Sequence, residues 1–291
     1  MRTGSTSLYH YLAQHPDVFM SAEKETDFFS LGDLADRELP RGASPHRKRT
    51  RGEYLKAFSG WQGERAMGEV SPSYFFFARA APRLLEAMPR AKLLCCLRDP
   101  CDRVHSHYGL TRKFNREHAT DLRRALELEP DRREFGITYA YLAASFYDRQ
   151  LQPWWSRFAK EQLHVYSFDD FVRDPKGQMR QIYEFLDVDG TFVPDTEVAF
   201  ERSGVLRGAA KPFLRPSAYR RWAARHLPPK LVSRIGGVLM KPLPPMDIEL
   251  RAELIETFRS DILRLQERID RDLTAWLKIE RSVTPAPVVR L

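Results

Sequence analysis

The chain has 291 residues, 43% of them hydrophobic and 12% aromatic, so it can bury a large core and is not globally disordered. No stretch approaches the roughly 20 apolar residues of a membrane span, and the charged start lacks the apolar centre of a signal peptide. The formal charge of +8 indicates an anionic partner without identifying it. We therefore expect a cytoplasmic globular protein.

The positive charge is concentrated in one segment. Residues 202–246 contain ten Lys and Arg residues and no Asp or Glu, so the rest of the chain has a net charge of −2. This segment lacks the interleaved aromatic residues of a dedicated nucleic-acid binder, and we predict no nucleic-acid partner. It is either a solvated face or a surface that attracts an anionic ligand, such as a glycan or a lipid headgroup, or, weakly, a membrane. A non-enzymatic basic module remains a further alternative.

In the first third of the chain, a helix is predicted over Ser5–His15 and a short strand over Val18–Met20. A second strand is predicted in RAMGEVSPSYFFF, followed by a helix over about Ala78–Met88. The run AKLLCCLRDP is continuously apolar and ends at a charged turn, as expected of a parallel strand buried on both faces. Its cysteines Cys95 and Cys96, with nearby Cys101, form no paired framework, and we expect reduced thiols that serve packing.

Further along, Asp99-Pro100 predicts a helix start, because Asp is a common N-cap and Pro fits the first helical position. A helical region around 138–160 precedes a strand in QLHVYSFDDF and a helix in DPKGQMRQIYEFLDVD. A long amphipathic helix is predicted over about Asp247–Leu277. Strands that alternate with helices predict an α/β fold with a parallel sheet, in one domain over 1–280. The domain includes the basic helical or loop extension at about 202–246, and residues 281–291 are predicted to be a disordered tail.

The first candidate site is RTGSTS, at the start of the first predicted helix. Gly4 lets the backbone approach a ligand, and the N–H groups of a helix N-terminus bind anions. The hydroxyl groups of residues 5–7 add donors and Arg2 adds a positive charge, which suits a phosphate. An ordinary helix cap is the alternative. The pattern lacks the Walker lysine, which disfavours a nucleotide phosphotransferase.

A second candidate is CLRDPCDRVHSHY, in which Arg98 ends the predicted buried strand and Ser106 lies on the following helix. Open α/β sheets bind ligands at this edge, so the two residues could clamp a second phosphate, with Arg103 on the same helix face as Ser106. A capped helix with an Arg–Asp surface pair is the alternative. The third candidate is Glu25 in SAEKETDFFS, either a general base or a solvated surface carboxylate.

In this order along the chain, the motifs RTGSTS, SAEKETDFFS, GEVSPSYFF and LRDPCDRVHSHY resemble the sulfotransferases that use 3′-phosphoadenosine 5′-phosphosulfate (PAPS). The likeness extends through VYSFDDFVRDP, RSGVLRG and the last predicted helix. It is greatest to bacterial members and to Golgi glycan O- and N-sulfotransferases. The resemblance implies a P-loop-like sheet and transfer of a sulfuryl group from PAPS to a hydroxyl or amine, with carbohydrate sulfation as one candidate. A catalytically inactive relative that binds PAPS or an acceptor is an alternative.

The resemblance also implies roles for individual residues. The 5′-phosphosulfate is expected at Arg2, Thr3, Gly4, Ser5, Thr6 and Ser7, and the 3′-phosphate at Arg98 and Ser106. Tyr147 and Arg207 match later cofactor contacts, and Glu25 matches the general base of glycan sulfotransferases, with Arg2 as the second catalytic residue. No metal is expected. The oligomeric state and the acceptor stay open.

The chain departs from the family pattern in several places. Arg2 stands where the family usually has Lys, Asp27 where glycan enzymes often have His, and Val70 where many have Lys. RSGVLRG lacks the Pro that commonly precedes its Arg. Family members also carry an apolar strand ahead of the first loop. Here that strand is absent, so we expect a sheet that lacks its first strand and a truncated or misassigned start.

Overall fold

The computed structural model describes residues 2–32, 34–35, 38–41, 47–196, 205–206, 240–241 and 243–279. Helices and short parallel strands alternate along the first two thirds of the chain. The helices are α1 Ser5–Leu12, α2 Phe28–Leu31, α3 Arg51–Lys56, α4 Ser73–Phe76, α5 Ala80–Ala87, α6 Pro100–Lys113, α7 Leu122–Glu127, α8 Tyr147–Trp155, α9 Phe168–Arg173, α10 Pro175–Phe185 and α11 Ile248–Ile269. The strands are β1 Val18–Met20, β2 Ala66–Gly68, β3 Leu93–Leu97, β4 Leu163–Ser167, β5 Val205–Leu206 and β6 Met240–Lys241.

The described strands form three two-stranded sheets. β1 pairs with β2 and β3 pairs with β4, both in parallel, whereas β5 and β6 are antiparallel. The parallel pairs and the helices around them confirm the predicted α/β class. In the first parallel sheet, β2 has one edge that no described strand covers. The same holds for β3 in the second parallel sheet.

A cavity of about 840 Å³ lies between these two edges. All three residues of β2 and all five of β3 line it. Successive strand residues point to opposite faces of a sheet, so a cavity that touches five in a row meets the edge of the strand and not one face. Thr3 and Ser5 of the first loop also line the cavity.

Strand β3 separates two apolar clusters, which places helices on both of its faces. Cys95 and Leu97 belong to a cluster with α6, α8 and α11, whereas Leu94 and Cys96 pack against one formed by α1, α10 and β1. The three cysteines are free, and Cys95 and Cys101 are buried. Both faces of β3 therefore contact apolar side chains, as the continuous apolar run predicts.

Ion pairs attach α11 to the start of α6. Arg251 donates to Asp102 at 2.8 Å and to Asp99 at 2.8 Å. The Asp99 carboxylate is fully buried and also accepts the first N–H groups of α6, from Cys101 and Asp102. Since Asp99 directly follows Arg98, this arrangement fixes the end of β3, where the candidate site lies.

Several predicted bounds differ from the structure. The helical region predicted around 138–160 consists of 3₁₀ turns up to Ser145 and the helix α8, because the backbone leaves helical geometry at Ala140 (ψ 68°) and again at Phe146 (ψ 85°). The last helix ends at Ile269, where Asp270 adopts a left-handed conformation, and a 3₁₀ turn follows at Thr274–Leu277. The predicted tail 281–291 and most of the basic extension lie outside the described residues.

Candidate active site

The first loop ends at a helix N-terminus whose N-cap residue has no side chain with which to cap it. Gly4 is the N-cap of α1, with φ of 80°, no side-chain cap hydrogen bond and no acidic residue in the first turn. A Cβ at Gly4 would lie 3.1 Å from the ring of Phe168. The left-handed backbone and the close contact with Phe168 both favour glycine at this position. The first-turn N–H groups of α1 are in a position to bind an anion, and the ordinary side-chain cap is wrong for these residues.

The structure joins the first loop to the second candidate motif. Arg2 Nε donates to Ser106 Oγ at 2.9 Å, although 104 positions separate these residues in the chain. Arg98 Nη1 donates to the Arg2 carbonyl at 3.3 Å. Two guanidinium groups and a buried hydroxyl therefore meet beside the N-terminus of α1.

Phe168, which follows β4, supports this group. The Arg98 guanidinium lies 4.8 Å from the centroid of the Phe168 ring, a cation–π distance. The same ring packs against Gly4. Phe168 thus contacts both the loop and the arginine, and sequence reasoning missed it. Its place directly after a buried strand, at the edge where α/β sheets bind ligands, is the signal that could have identified it.

Tyr147 begins α8 and lies beside the same edge. It is buried, and it lines the cavity together with Thr3 and Ser5. Burial raises the pKa of its hydroxyl group, and the positive charges of Arg103 and Arg98 oppose that shift. The structure therefore places Tyr147 close to the arginines of the site. Arg207 lies outside the described residues.

The helix spacing suggested that Arg103 would lie beside Ser106 at the site. The structure shows different contacts for Arg103. Its guanidinium is buried and donates to Ser145 Oγ at 2.6 Å and to the Tyr141 carbonyl at 2.5 Å. These bonds hold the 3₁₀ segment that precedes α8. Asp99 and Asp102 pair with Arg251, so the alternative of a local Arg–Asp surface pair is also not what the structure shows.

Glu25 lies on a loop that leaves β1. Its side chain is half exposed and forms an ion pair with Lys24, and its backbone is left-handed, with φ of 64°. The Glu25 side chain is thus much more exposed than that of Asp27, which is buried. Glu25 is not among the described residues that line the cavity. The structure therefore places this residue on the loop beside β2, apart from the contacts that join Arg2, Arg98 and Ser106.

Asp27 is a buried carboxyl group on the same loop. Burial raises its pKa to about 6, and the negative charges of Glu25 and Glu69 add to the shift. The hydroxyl of Ser73 donates to Asp27 Oδ1 and opposes it. Asp27 therefore titrates much closer to neutral pH than an exposed aspartate does.

Glu69 connects this loop to β2 and was also missed. Its carboxylate accepts hydroxyl groups from Thr26, from Ser71 at 2.8 Å and from Tyr74 at 2.5 Å. The motif GEVSPSYFF contains Glu69, two hydroxyl residues and a tyrosine within six positions, and this clustering is the signal that was available. Among the described residues, no group of three or more His, Cys, Asp or Glu could hold a metal ion.

Comparisons with known proteins agree with this site. The model of the sulfotransferase family matches residues 1–192. A solved sulfotransferase from Alicyclobacillus acidocaldarius superposes with a TM-score of 0.75 at 31% identity, covering 95% of each chain. The chain belongs to the sulfotransferase family.

Curated relatives include enzymes named for glycan sulfation. The mouse heparan sulfate glucosamine 3-O-sulfotransferase 3B1 is 30% identical over 190 residues, which cover 63% of this chain and 43% of that protein. The mouse 3-O-sulfotransferase 5 is 25% identical over 190 residues, which cover 64% of this chain and 50% of that protein. The chain thus spans half or less of the length of these relatives. None of the described helices is both long and apolar enough to cross a membrane.

Proposed function

We propose that this protein transfers a sulfuryl group from PAPS to a hydroxyl group, or an amine, of a carbohydrate or glycolipid acceptor and releases adenosine 3′,5′-bisphosphate. The observation that carries the proposal is the convergence of Arg2, Arg98 and Ser106 beside the N-terminus of α1, where the N-cap is a glycine. Cationic groups and free N–H donors at one helix end suit a ligand with two anionic groups. The names of the glycan-sulfating relatives support the acceptor class.

The donor's two anionic ends would bind neighbouring parts of this group. Residues 2–7 would hold the 5′-phosphosulfate through the first-turn N–H groups and the hydroxyls of Ser5, Thr6 and Ser7. Arg98 and Ser106 would hold the 3′-phosphate, with Tyr147 and Arg207 as further contacts. The bond between Arg2 and Ser106 couples the two subsites, so we expect Arg2 to share its guanidinium between Ser106 and the donor.

In the proposed reaction, the acceptor oxygen or nitrogen forms a bond to sulfur while the bond from sulfur to the bridging phosphate oxygen breaks. Glu25 accepts the proton that the acceptor loses. Negative charge develops on the departing oxygen, where the guanidinium of Arg2 and the N–H groups of α1 stabilise it. Arginine stays protonated at working pH, so Arg2 supplies charge and hydrogen bonds and does not transfer a proton.

A transfer screen tests the proposal directly. Labelled PAPS would be incubated with sugars, glycolipids, phenols and amines, and binding of adenosine 3′,5′-bisphosphate would be measured separately by thermal shift. Transfer to a sugar or glycolipid that Glu25→Gln lowers by about 10²–10⁴-fold supports the proposal. Donor binding without transfer to any class would instead favour an inactive relative. Protection by ATP but not by adenosine 3′,5′-bisphosphate would favour a nucleotide phosphotransferase. The cytoplasmic location, and a weak membrane contact through residues 202–246, stay predictions.

A further inference from the structure

Three consecutive residues of the loop that carries Glu25 are bonded to three consecutive residues after β2. The Glu25 N–H donates to the Val70 carbonyl at 3.0 Å. The Thr26 hydroxyl donates to the Glu69 carboxylate, and the Asp27 N–H donates to Ser71 Oγ at 3.3 Å. These bonds fix the loop in register against residues 69–71, a segment that lines the cavity and leads to α4.

The Glu69 carboxylate is the centre of these contacts. An ionised carboxylate only accepts hydrogen bonds, at about four positions. Thr26, Ser71 and Tyr74 donate hydroxyl groups to it, and Tyr54 adds a fourth side-chain hydrogen bond. Burial raises the pKa of Glu69, and the four hydroxyl groups act in the opposite direction. The side chain is therefore fully committed to its neighbours, which argues against a direct role with substrate.

The backbone of the loop explains why such a contact is needed. Glu25 and Asp27 both have positive φ values, 64° and 51°, and Thr26 lies between them. Non-glycine residues adopt this region at a cost, so the surrounding structure must hold them there. Thr26 is fully buried, and among the described residues of this loop it is Thr26 whose side chain donates a hydrogen bond to Glu69.

We propose that Glu69 is a positioning residue that acts through Thr26 to hold the strained loop and thereby aims the Glu25 carboxylate at the acceptor. The inference rests on the proposed function of Glu25 as the general base. It adds that a buried carboxylate directly after β2, whose hydrogen-bonding positions are taken by neighbouring hydroxyl groups, sets the rate of proton removal. Displacement of a catalytic group by about 1 Å can lower turnover by up to about 10²-fold.

Thr26→Val tests this link, because valine keeps the shape of threonine and removes only the hydroxyl group. Turnover would be measured as release of adenosine 3′,5′-bisphosphate from PAPS, with water as the sulfuryl acceptor. We expect kcat to fall by about 10-fold to 10²-fold, with the KM for PAPS within about twofold of the parent value. Hydrogen exchange of the Glu25 amide should become faster, since that amide is bonded within the same loop.

Tyr54→Phe is the matched control. It removes another hydroxyl group from Glu69, and Tyr54 packs in the apolar cluster around α2, so it should lower the melting temperature comparably. Because this substitution leaves the bond between Thr26 and Glu69 in place and keeps the Tyr54 ring on Phe28, kcat and exchange at Glu25 should stay close to the parent values. Equal losses of kcat in the two variants, or an unchanged kcat in Thr26→Val, would overturn the positioning role.

Glu25→Gln separates this inference from the function on which it rests. A fully active Glu25→Gln protein would overturn both the general base and its positioning by Glu69. An inactive Glu25→Gln protein together with an active Thr26→Val protein would overturn the positioning role alone. Loss of kcat in both, with Tyr54→Phe active, is the result that we expect.

Discussion

Replacement of Asp27 by asparagine should stabilise the protein at neutral pH. The carboxyl group is 8% exposed, and burial raises its pKa to about 6. The folded state therefore holds the proton more tightly than the unfolded chain does. The free energy of unfolding falls as pH rises from about 4 to about 6, because the buried group must ionise. Asparagine stays neutral and keeps an oxygen that can accept the Ser73 hydroxyl.

The magnitude follows from the pKa. A change of one pKa unit corresponds to about 1.4 kcal/mol, and the pKa of an ordinary aspartate is about 3.9. A pKa of about 6 therefore gives a penalty of about 3 kcal/mol as an upper value at neutral pH. Below about pH 4 the group is protonated in both states, and this penalty disappears. The stability gained by Asp27→Asn should thus grow with pH across this window.

Urea unfolding near pH 4 and near pH 7 measures the effect, with the parent protein and Asp27→Asn treated alike. The pKa of Glu69 is also raised, and the negative charges of Asp27 and Glu69 repel each other, so the comparison measures the burial of Asp27 together with this repulsion. We expect the variant to gain about 2–3 kcal/mol relative to the parent between the two pH values. A stability difference that is the same at both pH values would refute the assignment of this penalty to Asp27.

Three further predictions concern the site and its support. Arg2→Lys should retain activity and Arg2→Ala should lose most of it, because the departing oxygen needs a positive charge; unchanged turnover of the alanine variant would contradict this role. Arg251→Met should lower the free energy of unfolding by about 3–5 kcal/mol in a urea titration, since the buried Asp99 loses its arginine partner. Arg123→Met removes an exposed pair with Glu253 and should lower it by at most about 1 kcal/mol. An apolar strand of about six residues fused ahead of Met1 should fill the cavity between β2 and β3 and raise both the melting temperature and PAPS affinity, and the same fusion with a central proline should not.

The sequence alone determined features that depend on neighbouring residues. The glycine before a helix, Asp99-Pro100 at a helix start and the apolar run that became β3 each follow from local backbone chemistry. The order of the motifs also indicated the family, which the comparisons confirm. Helix ends were less predictable, because the last helix stops at Asp270, whose left-handed backbone the apolar spacing does not reveal.

Only the tertiary structure decided which of these residues act together. Arg2 meets Ser106, and the ring of Phe168 meets both Arg98 and Gly4, because the carboxyl ends of β3 and β4 lie beside the start of α1. The motif GEVSPSYFF gave no role to Glu69. That role depends on the packing of the loop that carries Thr26 against it. Such contacts span tens of residues and depend on which strands pair and which helices cover them. Local propensity contains no record of that pairing, so the sequence could name the participants without giving their arrangement.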